Sequence, residues 1–238
     1  AKAFLCTAMA RLAHEEGMHI DVASGGELFV VLAAGVPADR IVLHGNNKSS
    51  DELRQALDAG VGRIVVDSFD EMDRIEALVA AGAPIPKVLV RVTPGVEAHT
   101  HEYVRTGQQD SKFGFGLASG DAAAAVIRAS GSDAMDLVGV HAHIGSQVFV
   151  ADFFAEAIEV LAPFVTPLGL PELSIGGGLG VAYVVGEAAP TISDWATAVH
   201  QACAEVGIEA RPVAEPGRAI TAQAAITLYR VGTIKEVP

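Results

Sequence analysis

Seven short apolar runs recur along the chain: "HIDVAS", "RIVLHG", "RIVVDS", "KVLVRV", "LVGVHAHIG", "ELSIGGG" and "RPVAEPG", with helical patterns between them. Strands that are apolar almost throughout are buried on both faces, as in a parallel sheet covered by helices. Several helix starts carry capping boxes, Ser24 with Glu27, Ser49 with Glu52 and Ser68 with Glu71, so each run is expected to hand over to a helix. The repeated unit is βα.

Seven strands invite an eighth, and the only place left for it is the start, where "AKA" reads as the tip of a strand before "FLCTAMARLAHEEG" turns helical. The expected fold is therefore α/β, a (β/α)8 TIM-type barrel over residues 1–222, truncated at its first strand, with its chemistry at the C-terminal strand ends. Residues 223–238, containing "AITLYRVGTIKEVP", alternate like a β-strand with no helix after it, and are expected to open a C-terminal β-domain that is otherwise absent. One segment breaks the rhythm. "PGVEAHTHEYVRTGQQDSKFGFG" has no steady period, and loops of that length in compact domains tend to be functional.

Half of the residues are hydrophobic and 19% are charged, which is material for one continuous core and gives no sign of disorder. The most apolar run, "LFVVLAAGVPA", is too short to span a membrane, and no signal-peptide pattern opens the chain. Sixteen basic residues against twenty-nine acidic ones, a formal charge of −13, oppose nucleic acid or an anionic membrane as partner. Cys6 and Cys203 form no C-x-x-C and read as reduced thiols of a cytoplasmic protein.

Three consecutive glycines follow the strand of "ELSIGGGLG", which gives up side-chain packing and costs backbone entropy. The stretch lacks the G-x-G-x-x-G order of a dinucleotide site and lies late in the chain, so a small phosphate on bare N–H groups is the better reading. On a barrel, Lys2, Asp21, His44, Arg91, His143 with Ser146, the glycine run, and Glu215 with Arg218 all converge on one pocket. An amine, an anion cradle, an imidazole and a carboxylate together suggest pyridoxal phosphate. Singly, each is weak: Lys2 can be a solvated charge, Asp21 a local cap, and "EPGR" a turn. His141 and His143, two apart on a strand, are either a metal pair or buried polar groups, and no carboxylate-rich companion set accompanies them.

The order and wording of "AKAF", "IDVASGGEL", "LHGNNKS", "GVEAHTHEYVRTGQQDSKFGFGL", "HAHIGSQ", "SIGGGLG" and "AEPGR" resemble the barrel domain of the fold-type III pyridoxal-phosphate decarboxylases, and most of all their diaminopimelate branch. The resemblance implies decarboxylation of meso-diaminopimelate to L-lysine. It implies that Lys2 carries the cofactor covalently, that His143 stacks on the pyridine ring and that Glu215 meets the ring nitrogen. Asp21 then supports that carboxylate, while Ser146, Gly176, Gly177, Gly178, Gly217 and Arg218 form the phosphate cradle. Arg218 also matches a residue that contacts the substrate carboxylate, which a planar guanidinium suits. A carboxylate on the ring nitrogen favours decarboxylation; the related barrel racemases place an arginine there.

In that family the carboxyl-terminal β-domain reaches across a homodimer to supply a cysteine acid, so residues 1–238 alone are expected to be inactive. Decarboxylation of another basic amino acid, of the ornithine or arginine type, and a non-catalytic pyridoxal-phosphate-holding protein stand as alternative readings. A metal-dependent barrel hydrolase built on His141 and His143 is more remote.

Overall fold

The computed structural model describes residues 1–95 and 112–236. Its strands are β1 (Ile20–Val22), β2 (Ile41–Leu43), β3 (Arg63–Val66), β4 (Lys87–Thr93), β5 (Phe115–Gly116), β6 (Asp136–His141), β7 (Glu172–Ser174) and β8 (Arg211–Val213). Every pairing is parallel, in the order β1-β2-β3-β4-β6-β7-β8, with β5 on the last two residues of β4. The helices are α1 (Thr7–Glu15), α2 (Gly25–Ala33), α3 (Ser50–Ala59), α4 (Phe69–Ala80), α5 (Asp121–Gly131), α6 (Asp152–Val165), α7 (Ile192–Glu205) and α8 (Gly217–Thr221). The seven runs legible in the sequence are the seven strands of the main order; β5 is the addition.

Period-two alternation divides the strand residues between two cores. Ile41 and Leu43, Ile64 and Val66, and Val88 and Val90 face the helices and join Leu28, Leu53, Met72, Ile75, Phe154 and Ile158 in the large outer core. The residues between them, Val42, Val65 and Leu89, form a separate inner cluster with Val138. A small apolar cluster enclosed by the concave side of a parallel sheet is the packed interior of a barrel.

An ion pair crosses the same interior near the N-terminal strand ends. Arg63 of β3 donates twice to the buried Glu172 of β7, at 2.7 and 2.6 Å, and Arg211 of β8 adds a third bond at 2.7 Å. Two strands lie between β3 and β7, so the pair ties opposite walls together.

Residues 1–3 occupy the position between β1 and β8, the first and last strands of the order. The Ala1 nitrogen donates to Asp21 O at 2.6 Å, and Ala3 packs where a Cβ on Gly217 would lie 3.1 Å away. The expected strand tip is thus in place as a neighbour, although its residues form a turn. Residues 225–236 form no regular element, and Ile226, Leu228, Tyr229, Val231 and Ile234 are exposed. A strand exists through its ladder, and among the described residues no partner strand meets this one.

One predicted capping box closes as written: Ser49 and Glu52 exchange both bonds, and Glu52 also reaches the Gly25 N–H at the start of α2. At the other two, Ser24 and Ser68 cap their helices, but Glu27 and Glu71 reach one residue further back, to the N–H groups of Ala23 and Asp67. A box not foreseen, Thr191 with Asp194, starts α7. The unperiodic segment lies outside the described residues over 96–111. No helix among the described residues is long and apolar enough to cross a membrane.

Candidate active site at the carboxyl ends of the strands

Glu215, just beyond β8, is the hub of a polar cluster built from several strand ends. Ser174, the last residue of β7 and 1% exposed, donates to Glu215 Oε1 at 2.7 Å. His141, the last residue of β6 and as deeply buried, brings Nε2 to 3.2 Å from the same oxygen. His44, one residue past β2, stands with Nε2 3.8 Å from Glu215 Oε1 and 3.5 Å from Asp21 Oδ1 of β1. Its ring meets that of His141 edge to face, with centroids 5.2 Å apart. At the next strand ends Asp67 accepts from Arg91 at 3.3 Å and from the Gly114 N–H at 2.7 Å.

These charges decide each other's ionisation. Burial works against a charged Glu215, but the two histidines and the bonds from His141 and Ser174 outweigh it and hold the carboxyl well below the usual range. Burial also works against a charged His44, and there Glu215 and Asp21 prevail and raise it. In His141 burial wins and the imidazole is pushed down. His143 is pushed down to about 3, first by burial and then by its neighbours His141, Arg91 and Lys2, against the pull of Glu215. The site therefore pairs an ionised carboxylate with a neutral imidazole.

A pH dependence follows, with opposite signs for the two kinds of shift. His143 and Glu215 are depressed, so the unfolded chain takes up their protons first and stability falls with pH, from about 6.5 for the histidine and 4.5 for the carboxylate. His44 is raised, so its contribution is present below about 6.5 and is lost as pH rises through its folded value. In imidazole Cε1–H NMR titrations of the cofactor-free protein, His143 is expected to stay neutral at pH 5 while His44 titrates above the ordinary imidazole range. Both rings titrating together near 6.5 would contradict the cluster as described.

The sequence-predicted residues fall on this end of the barrel, and their contacts sort them. Asp21 and Glu215 meet through His44. Ser146 and Arg218 meet directly, Nη2 to Oγ at 3.4 Å, and Arg218 Nη1 also donates to Tyr183 Oη at 2.6 Å. Lys2 is exposed, bracketed by Ala1 on Asp21 and Ala3 on Gly217, and its charge reaches His143. His141 and His143 do not pair as metal ligands here: β6 ends at His141, which turns to Glu215, and the ligand-capable trio among the described residues is His44, His141 and Glu215, with atoms within 4.8 Å of one another. Ser174, Asp67 and Tyr183 were missed. The first two were legible as small polar residues closing apolar strands, a signal weaker than an isolated histidine or lysine.

The glycine run has an answer that the sequence did not supply. A Cβ on Gly176 would lie 2.6 Å from Ala142 O, one on Gly177 2.2 Å from Glu215 O, and one on Gly178 2.2 Å from Gly145 O. What approaches is the protein's own backbone at the ends of β6 and β8, and Gly176 and Gly178 also hold positive φ of 70° and 103°. The close packing leaves the N–H groups of Gly177 and Gly178 donating to no acceptor among the described residues. Bare donors beside a neutral imidazole and an ionised carboxylate fit a phosphate-bearing pyridine.

Residues 1–222 match the family model described as the pyridoxal-binding domain of pyridoxal-dependent decarboxylases. The chain belongs to the pyridoxal-dependent decarboxylase family. It is 47% identical over its whole length to the diaminopimelate decarboxylase of Mycobacterium tuberculosis, covering 56% of that protein, and 43% identical to that of Bacillus subtilis, covering 57%. The crystal structure of the Helicobacter pylori diaminopimelate decarboxylase complexed with L-lysine superposes with a TM-score of 0.82 at 32% identity, over 90% of this chain and 54% of that one. The chain thus spans a little over half the length of these relatives. For a pyridoxal-dependent decarboxylase barrel, the residues gathered at the strand ends lie where the fold places its chemistry.

Proposed function

We propose that this chain is the cofactor-holding barrel of a diaminopimelate decarboxylase, which releases carbon dioxide from meso-diaminopimelate to leave L-lysine. The observation that carries the reading is Glu215, ionised and fixed by Ser174 and His141 at the centre of the strand ends, beside a neutral His143. Pyridoxal 5'-phosphate, when bound, supplies an electron sink for the pair left behind by carbon dioxide. An ionised Glu215 would keep the pyridine nitrogen protonated, and Asp21, acting through His44, would support that charge. His143, neutral and flat, would cover one face of the ring without adding a charge. The Gly177 and Gly178 N–H groups, with Gly176 shaping their turn, would take the phosphate together with Ser146 and the Gly217–Arg218 backbone.

Lys2 would supply the amine that holds the cofactor and moves protons at the reacting carbon. Arg218, oriented by Tyr183, would present its fork to a substrate carboxylate. We further propose a homodimer of the full-length protein, a cytoplasmic location suited to the free thiols of Cys6 and Cys203, and a second, β-rich domain opened by residues 223–238. The identity to diaminopimelate decarboxylases and the L-lysine in the H. pylori structure support this substrate over ornithine or arginine.

The test uses the full-length protein with pyridoxal phosphate, offered meso-diaminopimelate, ornithine and arginine in parallel. Lysine is expected from the first, with kcat/KM at least about a hundredfold above the others, a ratio that polar recognition of a second carboxylate end supplies. Preference for ornithine or arginine would move the substrate assignment. Bound cofactor with no carbon dioxide from any of them would make this a binding protein.

A further inference from the structure

Lys48 lies on the loop after β2 that also carries His44, and only 3% of it is exposed. An ammonium has three donors, and this one has three oxygens around it: Gly45 O at 2.5 Å, Val65 O at 2.9 Å and Glu71 Oε1 at 2.9 Å. Glu71, equally buried in the first turn of α4, accepts the Asp67 N–H at 3.0 Å through its other oxygen. Lys48 therefore grips the residue next to His44 and the third residue of β3. Glu71 grips Asp67, which holds Arg91 and the Gly114 N–H.

Stability alone is a weak reason for such a pair. Removing two charges from water is costly, and apolar residues of similar volume often serve a core equally well or better. What an apolar pair cannot do is hold two carbonyls and an N–H group at fixed points. Those points flank His44, whose ring faces Glu215 and Asp21, and Asp67, whose carboxylate fixes the arginine at the end of β4.

We propose that Lys48 and Glu71 are positioning residues of the active site, a buried clamp that sets where His44 meets Glu215 and where Asp67 holds Arg91. Its effect on catalysis rests on the decarboxylase reading above; its effect on the two loops does not.

The test is the double variant Lys48→Met/Glu71→Leu in the full-length protein. The melting temperature is expected to stay within about 5 °C of wild type, since an ion pair is exchanged for an apolar one. The expected fall in kcat/KM is about ten- to a hundredfold, the cost of a catalytic group displaced by about an ångström. Amide exchange is expected to speed up by about tenfold or more at two reporters outside the substituted side chains: the His44 N–H, which donates to Val22 O, and the Gly114 N–H, which donates to Asp67. A stable double variant with wild-type kcat/KM and wild-type exchange at both reporters overturns the clamp, because only packing would then have been needed.

If the double variant does not fold, Asp67→Asn becomes the deciding variant, since it leaves Lys48 and Glu71 in place and removes the acceptor for Arg91. It is expected to lower the melting temperature, because Arg91 stays buried without its carboxylate, and to reproduce the fall in kcat/KM at temperatures where it remains folded; undiminished activity in it overturns the proposal. A wild-type protein that fails to decarboxylate defeats the functional reading instead, and the exchange measurements on the two reporters still decide the clamp.

Discussion

Replacing Glu215 by alanine in the full-length protein is expected to lower decarboxylation by about a hundred- to a thousandfold, the usual scale for removing one preorganised charge-stabilising group. The carboxylate stands among the carboxyl ends of the strands, already ionised and already bonded to Ser174 and His141, so it need not reorganise when charge develops beside it. Cofactor affinity is expected to fall far less. The N–H groups of Gly177 and Gly178, Ser146 and Lys2 do not depend on the Glu215 side chain. The same substitution removes one of the two carboxylates that raise His44, so that imidazole should titrate lower. Turnover and cofactor affinity falling by the same factor would make Glu215 a structural residue of the turn after β8.

Lys2→Ala is expected to have the larger effect, about ten thousandfold on turnover, the upper end of what a positioned proton-transfer group supplies, together with weaker cofactor retention. Its place supports this. The backbone on either side is fixed, by Ala1 on Asp21 O and Ala3 against Gly217, while the side chain is left exposed at the mouth between β1 and β8. Nothing in the core depends on it, so the melting temperature of the cofactor-free variant should match wild type. A Lys2→Ala enzyme that turns over at more than about a tenth of the wild-type rate would place the essential amine elsewhere.

The sequence showed the strands more clearly than it showed what they enclose. Continuous apolar runs announce burial on both faces, and for that reason they conceal which residue points inward: Val42, Val65 and Leu89 became distinguishable from Ile41, Ile64 and Val88 only when the sheet curved. The Arg63–Glu172 pair joins residues 109 apart across the barrel, and no local pattern carries such a partnership.

Helix starts were legible through Ser24, Ser49 and Ser68. The longer reach of Glu27 and Glu71 was not, because it depends on how the chain leaves the preceding strand and exposes one more N–H. Explaining Glu71 as a cap hid its partnership with Lys48. For the site, isolated polar residues at strand ends were enough to name Asp21, His44, Arg91, His143 and Glu215. The glycines signalled a close approach correctly, yet composition cannot tell a ligand from a neighbouring backbone, and the structure brings the backbone at the ends of β6 and β8 against all three. In the tail, alternation in "ITLYRVG" describes a residue pattern, and a strand also needs a partner, which the described residues do not contain.

The central claim is that pyridoxal phosphate is held at these strand ends with Lys2 as its amine. Borohydride reduction of the full-length holoenzyme, followed by protease digestion and mass spectrometry, tests it most directly. The reduced cofactor is expected on the peptide that contains Lys2 and on no peptide that contains Lys48, Lys87 or Lys112. A label on another lysine, or none on an enzyme that retains its cofactor, would contradict the account.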